Sequence, residues 1–330
     1  MAKRKAGSYA VVFDIDGVLV HGPKPIPGAK EALNGLMSKS IPHVFVTNNG
    51  MVDESAKAES LSKILTEPID PKRMQLCQTP LREQADEIGD DLVLVTGYSM
   101  HPDGAEGVLR GLGFKNVMSS TDYAAGHPHL LPNKKRPGET RPAVHAQVGA
   151  VVILETPVDW HEDLQVLVDV LGSSGRLGEP AGSTQKVKLF VCNFDFTYAW
   201  ANVAPRFGPG AFVRCLETLF YQLHAKNLEY ICYGKPHSPA YRYAERTLAI
   251  QMTGQPAKLP SGCTIYAIGD NPTSDIRGAN AAGAHWKSIL VRTGVFDSEA
   301  ANDEQDPADH VVENVDAALH LISKLENIEE

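Results

Sequence analysis

The stretch YAVVFDIDGVLV, residues 9–20, decides the fold class of this chain. A short apolar run leads into two carboxylates, Asp14 and Asp16, and then Gly17, before apolar residues resume. Short β-branched runs of this kind are typical of buried parallel strands, and open α/β sheets keep their active sites at the carboxyl ends of such strands. An Asx-type turn would explain one aspartate before a glycine. Two acids on alternate residues favour a functional site, because burying both costs free energy unless a cation or hydrogen-bond donors compensate.

The length and composition indicate a globular protein of two domains. The chain has 330 residues, of which 43% are hydrophobic and 22% charged, which is longer than the usual single domain but ordinary in composition. The formal net charge of −9 argues against a nucleic-acid partner or an anionic membrane surface. An anionic substrate would therefore need local positive groups or a metal ion. No apolar run approaches the roughly 18 residues that a membrane span requires.

Five scattered cysteines without CxxC spacing favour neither a disulfide framework nor a zinc site. They indicate a reducing compartment, so we expect a soluble intracellular protein of the cytoplasm or the mitochondrial matrix. The basic start MAKRK is either a start site or the remnant of a trimmed presequence. The sequence leaves both interpretations open.

Polar side chains follow the next predicted strands at the point where each strand ends. Thr47 and Asn48 follow HVFV, Lys235 stands in GKP after EYICY, and Asp270 and Asp275 follow TIYAIG. Right-handed βαβ units bring the carboxyl ends of parallel strands to one edge of the sheet, so we expect these side chains near Asp14. Each has a simpler explanation, since Thr47 would suit a helix N-cap, Lys235 a solvated surface and Asp275 the first turn of a helix.

The middle of the chain has its own alternation of predicted strands and helices, which indicates a second α/β unit. Its segment 127–142 is rich in proline and basic residues and is predicted to be a mobile surface loop. His127 and His129 have metal-like spacing there, but the loop interpretation is favoured over a zinc site. Further along, a turn-rich stretch suggests a substrate-facing surface or, equally, a structural bend. Its candidate residues are Asn193, Asp195, Arg206 and Phe212.

Four ordered motifs resemble those of the haloacid dehalogenase-like phosphatase superfamily: DIDGV, Thr47 after a strand, GKP and GDNPTSDI. The resemblance implies an α/β fold, with a Rossmann-like doubly wound parallel sheet as the core and an inserted α/β cap domain. We expect the core to span 1–75 and 226–330 and the cap 76–225. The position of the insertion resembles the class IIA caps of NagD-type and p-nitrophenyl-phosphatase-like members. More narrowly, PRFGPGAF and GDNPTSDIRGAN are similar to the eukaryotic branch named after cat eye syndrome critical region protein 5.

The same resemblance implies roles for the core residues. Asp14 would attack phosphorus and become an aspartyl phosphate, while Asp16 would protonate the leaving alcohol and then activate water. Mg²⁺ would be held by Asp14, the Asp16 main-chain carbonyl and Asp270, with Asp275 orienting it. The residues expected to hold the phosphoryl group or the substrate are Gly17, Thr47, Asn48, Lys235, Asn193, Asp195 and Arg206.

The predicted function is a Mg²⁺-dependent phosphatase that acts on a small phosphomonoester. Asp16 supports this prediction, because a halide needs no proton to leave and true dehalogenases lack an acid at that position. Two alternatives stay open, a regulatory protein that binds a phosphorylated ligand or a protein partner and a phosphotransferase. Relatives in class IIA also associate through their caps, so a homodimer through the cap is expected by resemblance.

Overall fold

The computed structural model describes residues 9–134, 141–198, 204–256, 258–296 and 299–327. The strands are β1 (Tyr9–Phe13), β2 (Val20–His21), β3 (Lys24–Pro25), β4 (His43–Val46), β5 (Met74–Gln75), β6 (Leu92–Thr96), β7 (Asn116–Ser119), β8 (Val148–Ile153), β9 (Lys188–Val191), β10 (Thr197–Tyr198), β11 (Arg206–Phe207), β12 (Ile231–Cys232), β13 (Thr264–Gly269), β14 (Trp286–Val291) and β15 (His310–Val312). The helices are α1 (Ala29–Ser38), α2 (Glu54–Leu65), α3 (Ala85–Ile88), α4 (Gly104–Gly111), α5 (Ser120–Gly126), α6 (Trp160–Leu171), α7 (Pro209–His224), α8 (Ser238–Thr253), α9 (Arg277–Ala282) and α10 (Val315–Leu325).

The chain divides into two compact units. Unit 1 comprises Met1–Asn48, Glu54–Cys77 and Lys235–Glu330, and unit 2 comprises residues 49–53 and 78–234. Within the described residues, no helix is both long enough and apolar enough to cross a membrane.

Unit 1 is built on a six-stranded sheet with the order β15-β14-β13-β1-β4-β5, and every pairing is parallel. β1 lies inside the sheet, with Phe13 in register with Ile268 of β13 and Phe45 of β4. All five residues of β1 are buried, which is why its sequence is an uninterrupted apolar run. The parallel order places the carboxyl ends of β1, β4 and β13 side by side, and the predicted α/β fold class is confirmed.

Amphipathic helices cover this sheet. α1 buries Ala29, Ala32, Leu33 and Leu36, which recur at the i, i+3, i+4, i+7 spacing of one helix face. α8 packs on β4 and buries Tyr241 and other side chains in the cluster that includes Trp286. The helices therefore hold the strand ends in fixed positions relative to one another.

Unit 2 has a five-stranded parallel sheet with the order β12-β9-β8-β6-β7. Its core is formed by both sheet and helix residues, among them the fully buried Phe212 and Leu216 of α7. The short strands β10 and β11 pair as an antiparallel hairpin outside this sheet. β7 and α5 were not predicted from the sequence, because both are short and lack a clear apolar period.

The unit boundaries differ from those that the sequence predicted. The inserted segment was predicted to end at residue 225, with EYICY in the core domain, and that assignment is wrong. β12, which is part of EYICY, pairs with β9, with Ile231 opposite Phe190, so it belongs to the sheet of unit 2. The chain returns to unit 1 at Lys235 rather than at residue 226, and it leaves unit 1 after Cys77 rather than after residue 75.

The segment 127–142 also differs in part from the prediction. His127 is buried, packs against the ring of Tyr123 and contacts the main-chain oxygens of Tyr123 and Val144 through its two ring nitrogens. It is thus a core histidine with backbone partners and not part of a surface loop. Residues 135–140 of the segment, like the MAKRK start, lie outside the described residues.

Candidate active site

Five predicted site residues of unit 1 meet at one edge of its sheet. Asp14 follows β1, Thr47 follows β4, and Asp270 follows β13, while Lys235 and Asp275 lie beside them. All five are buried, with no more than 9% of any residue exposed. The explanation of Lys235 as a solvated surface residue is therefore wrong. Asp275 does lie in the first turn of a short helix, Pro272–Ile276, but it is also buried and paired with Lys235.

Lys235 is the electrostatic centre of this edge. Its ammonium Nζ lies 2.5 Å from Asp14 Oδ1, 2.7 Å from Asp275 Oδ1 and 2.9 Å from the main-chain oxygen of Val46. An ammonium has three N–H donors, so these contacts use all of them. The fixed ammonium holds Asp14 and Asp275 in one geometry, and it supplies a positive charge where two acids converge.

The carboxylates outnumber the positive charge. Oxygens of Asp14, Asp270 and Asp275 lie within 4.8 Å of one another, and Lys235 forms ion pairs with two of them, Asp14 and Asp275. Burial raises the pKa of Asp14 well above its usual range, and the charges of Asp275 and Asp270 add to this while Lys235 opposes it. Burial and the charge of Asp275 likewise raise the pKa of Asp270 to about 6. Burial alone would lower the pKa of Lys235, but the charges of Asp14 and Asp275 outweigh it and raise that pKa.

This cluster fits a divalent cation. Carboxylate oxygens are the ligands that Mg²⁺ and Ca²⁺ prefer, and three buried acids against one ammonium leave an uncompensated negative charge that a cation would neutralise. Asp14, Asp270 and Asp275 are the residues that would hold it. The carboxylate of Asp16 is not in the cluster, so its predicted part as a ligand, through the main-chain carbonyl, stays a prediction.

Two glycines make room for Asp270. A Cβ on Gly17, whose φ is +94°, would lie 2.4 Å from Asp270 Oδ2, and one on Gly294 would lie 1.9 Å from it. The Val295 N–H donates to the same oxygen at 2.6 Å, and the Thr293 hydroxyl donates to the Gly17 main-chain oxygen at 2.6 Å. The chain after β14 therefore fixes Asp270 in place. Thr293 was not among the predicted site residues, although it comes two residues after β14 and polar residues after strands were the signal that identified the others.

Asn48 ties two of the predicted motifs together. Its side-chain Oδ1 accepts from the Lys235 N–H at 2.7 Å, and its Nδ2 donates to the Lys235 main-chain oxygen at 3.0 Å. Its side chain is thus committed to positioning Lys235, whose peptide bond to Pro236 is cis. The Thr47 N–H donates to the main-chain oxygen of Gln75 at 3.0 Å. Contacts of Thr47 and Asn48 with a phosphoryl group stay predictions.

Asp16 differs from the other acids because its side chain is 55% exposed. Its carboxylate lies near Lys57 of α2, with 3.5 Å between Lys57 Nζ and Asp16 Oδ2. Two carboxylates that are two residues apart thus have separate environments, one buried against an ammonium and one accessible to solvent. Such a division suits two different chemical roles.

The predicted site residues of unit 2 differ from one another in their burial and their contacts. Asn193 is buried and hydrogen-bonded to Glu155, and it accepts from the Asp195 N–H at 2.9 Å. Burial raises the pKa of Glu155 to about 7, and the hydrogen bond from Asn193 opposes that rise. Arg206 lies exposed on β11. Glu155 was not among the predicted site residues, although it comes shortly after the buried strand β8, as the acids of unit 1 come after theirs.

For Phe212, the structure favours the structural interpretation of its stretch over the substrate-facing one, both of which the sequence left open. It is fully buried in the core of unit 2 and packs edge-on against Trp160 at 5.4 Å between ring centroids. Its position on the apolar face of α7 explains this, because that face is covered by the sheet. Phe212 stabilises unit 2 and does not face a substrate.

Two family models match this chain. The model described as haloacid dehalogenase-like hydrolase matches residues 11–115, and the model described as HAD-hydrolase-like matches residues 232–318. Together they cover more than half of the chain, and they include the strand ends that carry the buried acids and Lys235.

Three curated relatives are similar over most of this chain. A cardiolipin synthase (CMP-forming)/mitochondrial hydrolase fusion protein of Schizosaccharomyces pombe is 34% identical over 95% of the chain, which spans only 53% of that protein. A mitochondrial hydrolase of Saccharomyces cerevisiae is 29% identical over 96% of both chains. A glycerol-3-phosphate phosphatase of Gallus gallus is 26% identical over 90% of this chain and 83% of its own length.

Solved structures share the fold. A hypothetical protein of Pyrococcus horikoshii has a TM-score of 0.69 and 22% identity over 96% of this chain and 99% of its own. NagD of Escherichia coli has a TM-score of 0.62 and 18% identity over 93% and 96% of the two chains. A glycerol phosphate phosphatase of Mycobacterium tuberculosis, solved in complex with calcium, has a TM-score of 0.61 and 19% identity over 93% and 74%. At these identities the likeness supports the fold alone.

Proposed function

Because the chain belongs to the haloacid dehalogenase-like hydrolase superfamily, we propose that it is a Mg²⁺-dependent phosphatase acting on a small phosphomonoester. The observation that carries the proposal is the buried group of Asp14, Asp270 and Asp275 around Lys235 at the carboxyl edge of the sheet. A carboxylate that attacks a phosphate dianion meets strong repulsion, so the site needs concentrated positive charge at that point. Lys235 supplies one such charge, and a Mg²⁺ ion bound by the three acids would supply two more beside the phosphoryl oxygens.

The proposed reaction begins at Asp14. Its carboxylate oxygen forms a bond to phosphorus while the bond from phosphorus to the leaving oxygen breaks, which gives an aspartyl phosphate and an alcohol. Lys235 fixes the orientation of Asp14 through its 2.5 Å contact, so the nucleophile needs little rearrangement. Its ammonium also remains close to the charge that develops on the phosphoryl oxygens.

Asp16 would act as the general acid and then as the general base. In the first step it gives a proton to the leaving oxygen, and in the second it takes one from the water that attacks the aspartyl phosphate. Its 55% exposed side chain is compatible with contact to both the alcohol and the water. Inorganic phosphate and the regenerated Asp14 carboxylate complete the cycle, so atoms and charge balance over the two steps.

Turnover tests this proposal. We expect hydrolysis of one or more members of a broad panel of small phosphomonoesters when Mg²⁺ is present and no hydrolysis after chelation. Asp14→Asn removes the nucleophilic oxygen and should lower kcat by at least about a thousandfold, the scale on which loss of a catalytic nucleophile acts. Unchanged turnover in Asp14→Asn would disprove the proposal. No turnover of any ester by the wild-type protein with Mg²⁺ bound would favour the regulatory alternative, and phosphate transfer to an added alcohol would favour a phosphotransferase.

The same proposal extends to the role of unit 2, the class of substrate, self-association and location. Unit 2 would act as the cap, with Asn193, Asp195 and Arg206 as the substrate-binding residues, and the substrate would be a small phosphorylated metabolite rather than a nucleic acid. Copies would associate through unit 2, which exposes Phe196, Phe207 and Leu219, although such side chains also occur singly on monomers. Both fungal relatives are named mitochondrial hydrolases, which supports a mitochondrial location for this chain; within the mitochondrion we propose the matrix, and the cytoplasm is the other candidate. Membership of the eukaryotic branch named above also stays a proposal.

A further inference from the structure

We propose that Lys57 is a positioning residue for Asp16 and that it thereby controls protonation of the leaving alcohol. This inference rests on the proposed phosphatase function and deepens it. The motifs of the sequence analysis do not contain Lys57, since in the sequence it is one of several charged residues on a predicted helix.

The first observation is the pairing of charges at the edge of the sheet. Lys57 Nζ lies 3.5 Å from Asp16 Oδ2, and within the part of the chain that the structure describes no other lysine or arginine pairs with Asp16. The three N–H donors of Lys235 are already used by Asp14, Asp275 and the Val46 main chain. The two acids of the DIDGV motif therefore pair with two different lysines. Asp14 pairs with Lys235, and Asp16 pairs with Lys57.

The second observation is the restricted position of Lys57. Its side chain is only 15% exposed although it belongs to a surface helix. On the same helix, Lys63 is 73% exposed and pairs with Glu59, one turn away, as an ordinary surface lysine does. Burial of most of its length reduces the positions open to the Lys57 ammonium, so the contact with Asp16 is more than a chance encounter of flexible chains.

The third observation is the place of Lys57 in α2. The helix begins at Glu54, so Lys57 lies in its first turn, where the helix dipole disfavours a positive charge. Ala58, Leu61 and Leu65 are the buried residues of α2 and fix its rotation. Lys57 directly precedes the buried Ala58, and from this position its ammonium contacts Asp16. The negative charge of the nearby Asp16 carboxylate offsets the unfavourable interaction of the Lys57 ammonium with the amino end of the helix dipole.

The chemical consequence concerns the geometry of proton transfer. The contact engages Oδ2 of Asp16, which leaves Oδ1 as the oxygen that would face the leaving group. Lys57 does not transfer a proton and forms no bond to the substrate. It restricts the rotation of an exposed acid, and general acid catalysis depends on such placement within hydrogen-bond reach of the leaving oxygen.

The test compares Lys57→Met, which keeps the length of the side chain and removes its charge, with Lys57→Arg and with Lys63→Met as the matched control on the same helix. The substrates are phenyl phosphate and p-nitrophenyl phosphate, which have similar shapes. The nitrophenolate leaves without much help from an acid, whereas the phenolate needs a proton. The quantity measured is kcat/KM, which reports the steps up to departure of the leaving group.

We expect Lys57→Met to lower kcat/KM for phenyl phosphate about tenfold, a part of the hundredfold or more that a general acid contributes. For p-nitrophenyl phosphate the loss should be less than about twofold. Lys57→Arg should recover most of the lost activity, and Lys63→Met should behave as the wild type with both substrates. Equal binding of Mg²⁺ by all variants, measured by calorimetry without substrate, would show that the acid cluster is intact.

Other results would overturn the inference. An equal loss with both substrates would mean that Lys57 binds the phosphoryl group or supports the fold, and unchanged activity with both would mean that the contact has no catalytic effect. If the wild type hydrolyses esters while Lys57→Met resembles Lys63→Met, this inference fails and the proposed function stands. If the wild type hydrolyses no ester at all, both fail.

Discussion

At the scale of single residues, a glycine decides whether the acid cluster can form. Gly17 was predicted from the resemblance to bind substrate, but the structure gives it a spatial reason. Gly17 has φ +94°. A Cβ at this position would lie 2.4 Å from Asp270 Oδ2 and 2.6 Å from Asp270 Cγ, which is too close for either atom to stay in place. Asp270 cannot withdraw easily, because its Oδ2 accepts the Val295 N–H at 2.6 Å.

We therefore expect Gly17→Ala to displace Asp270 and to lower phosphatase activity at least about a hundredfold, the scale that a misplacement near 1 Å can cost. The left-handed backbone should also reduce the free energy of unfolding by about 1–2 kcal/mol. Gly22→Ala is the control, since Gly22 has φ +58° and nothing lies within 4 Å of its Cβ position. Urea unfolding and kcat measure the two effects. Similar activity losses in both variants would contradict this account, because they would show that backbone strain and not crowding of Asp270 is responsible.

Some residues of the site could be predicted from the sequence, and Lys57 could not. Asp14, Thr47, Lys235, Asp270 and Asp275 could be grouped in advance because each follows a predicted strand and parallel strands end at a common edge. Lys57 could not be found in this way, since its contact with Asp16 depends on the rotation of α2. That rotation is set by side chains that α2 buries, and the sequence does not specify which way a helix with several apolar positions will turn.

At the scale of elements, long apolar strands were predicted reliably and sheet membership was not. β4 was predicted at residues 43–46 and is confirmed at His43–Val46. β12 was identified as a strand but assigned to the wrong sheet. Its own sequence shows that it forms a strand, but it does not show which strand it pairs with, and the partner is β9. The place of Phe212 was left open between a substrate-facing surface and a structural bend, because the turn-rich sequence before α7 obscured the apolar face of the helix.

The first residue of β4 makes the stability of unit 1 dependent on pH. His43 is 2% exposed, and burial, aided by the charge of Arg73, lowers its pKa to about 4 despite a hydrogen-bonding contact with the Ile41 main-chain oxygen. The unfolded chain has the ordinary pKa near 6.5. Between these two values the unfolded state binds a proton at His43 that the native state does not bind. The native state therefore loses stability as the pH falls from about 6.5 toward 4.

Between pH 7.5 and pH 5.0 this difference should cost about 2 kcal/mol of unfolding free energy, from 1.36 kcal/mol for each pKa unit. His43→Phe removes the titrating group and should lose about that much less stability than the wild type over the same interval. Urea unfolding at the two pH values measures it. His161→Gln, which changes an exposed histidine, should keep the wild-type pH dependence. Identical pH dependence in His43→Phe and the wild type would show that His43 does not carry the effect.

At the scale of the whole molecule, the chain is an α/β protein with one parallel sheet in each of two units. The α/β class followed from the alternation of apolar runs, and the superfamily followed from four ordered motifs. The ends of the inserted unit were misplaced by a few residues at one end and by nine at the other, where β12 joins its sheet. The chemistry proposed for the protein rests on unit 1 alone, because unit 1 contains every acid of the cluster together with Lys235, Asp16 and Lys57.

The central claim is that phosphate passes through a covalent bond to Asp14. The measurement that tests it most directly is rapid acid quenching of Asp16→Asn after mixing with Mg²⁺ and p-nitrophenyl phosphate, followed by mass analysis of the peptides. The nitrophenolate leaves without an acid, while hydrolysis of the intermediate needs the base that this variant lacks, so the intermediate should accumulate. We predict a phosphoryl group on Asp14 in step with the burst of p-nitrophenol. Release of p-nitrophenol with Asp14 unmodified, or with phosphate bound to another residue, would contradict the account.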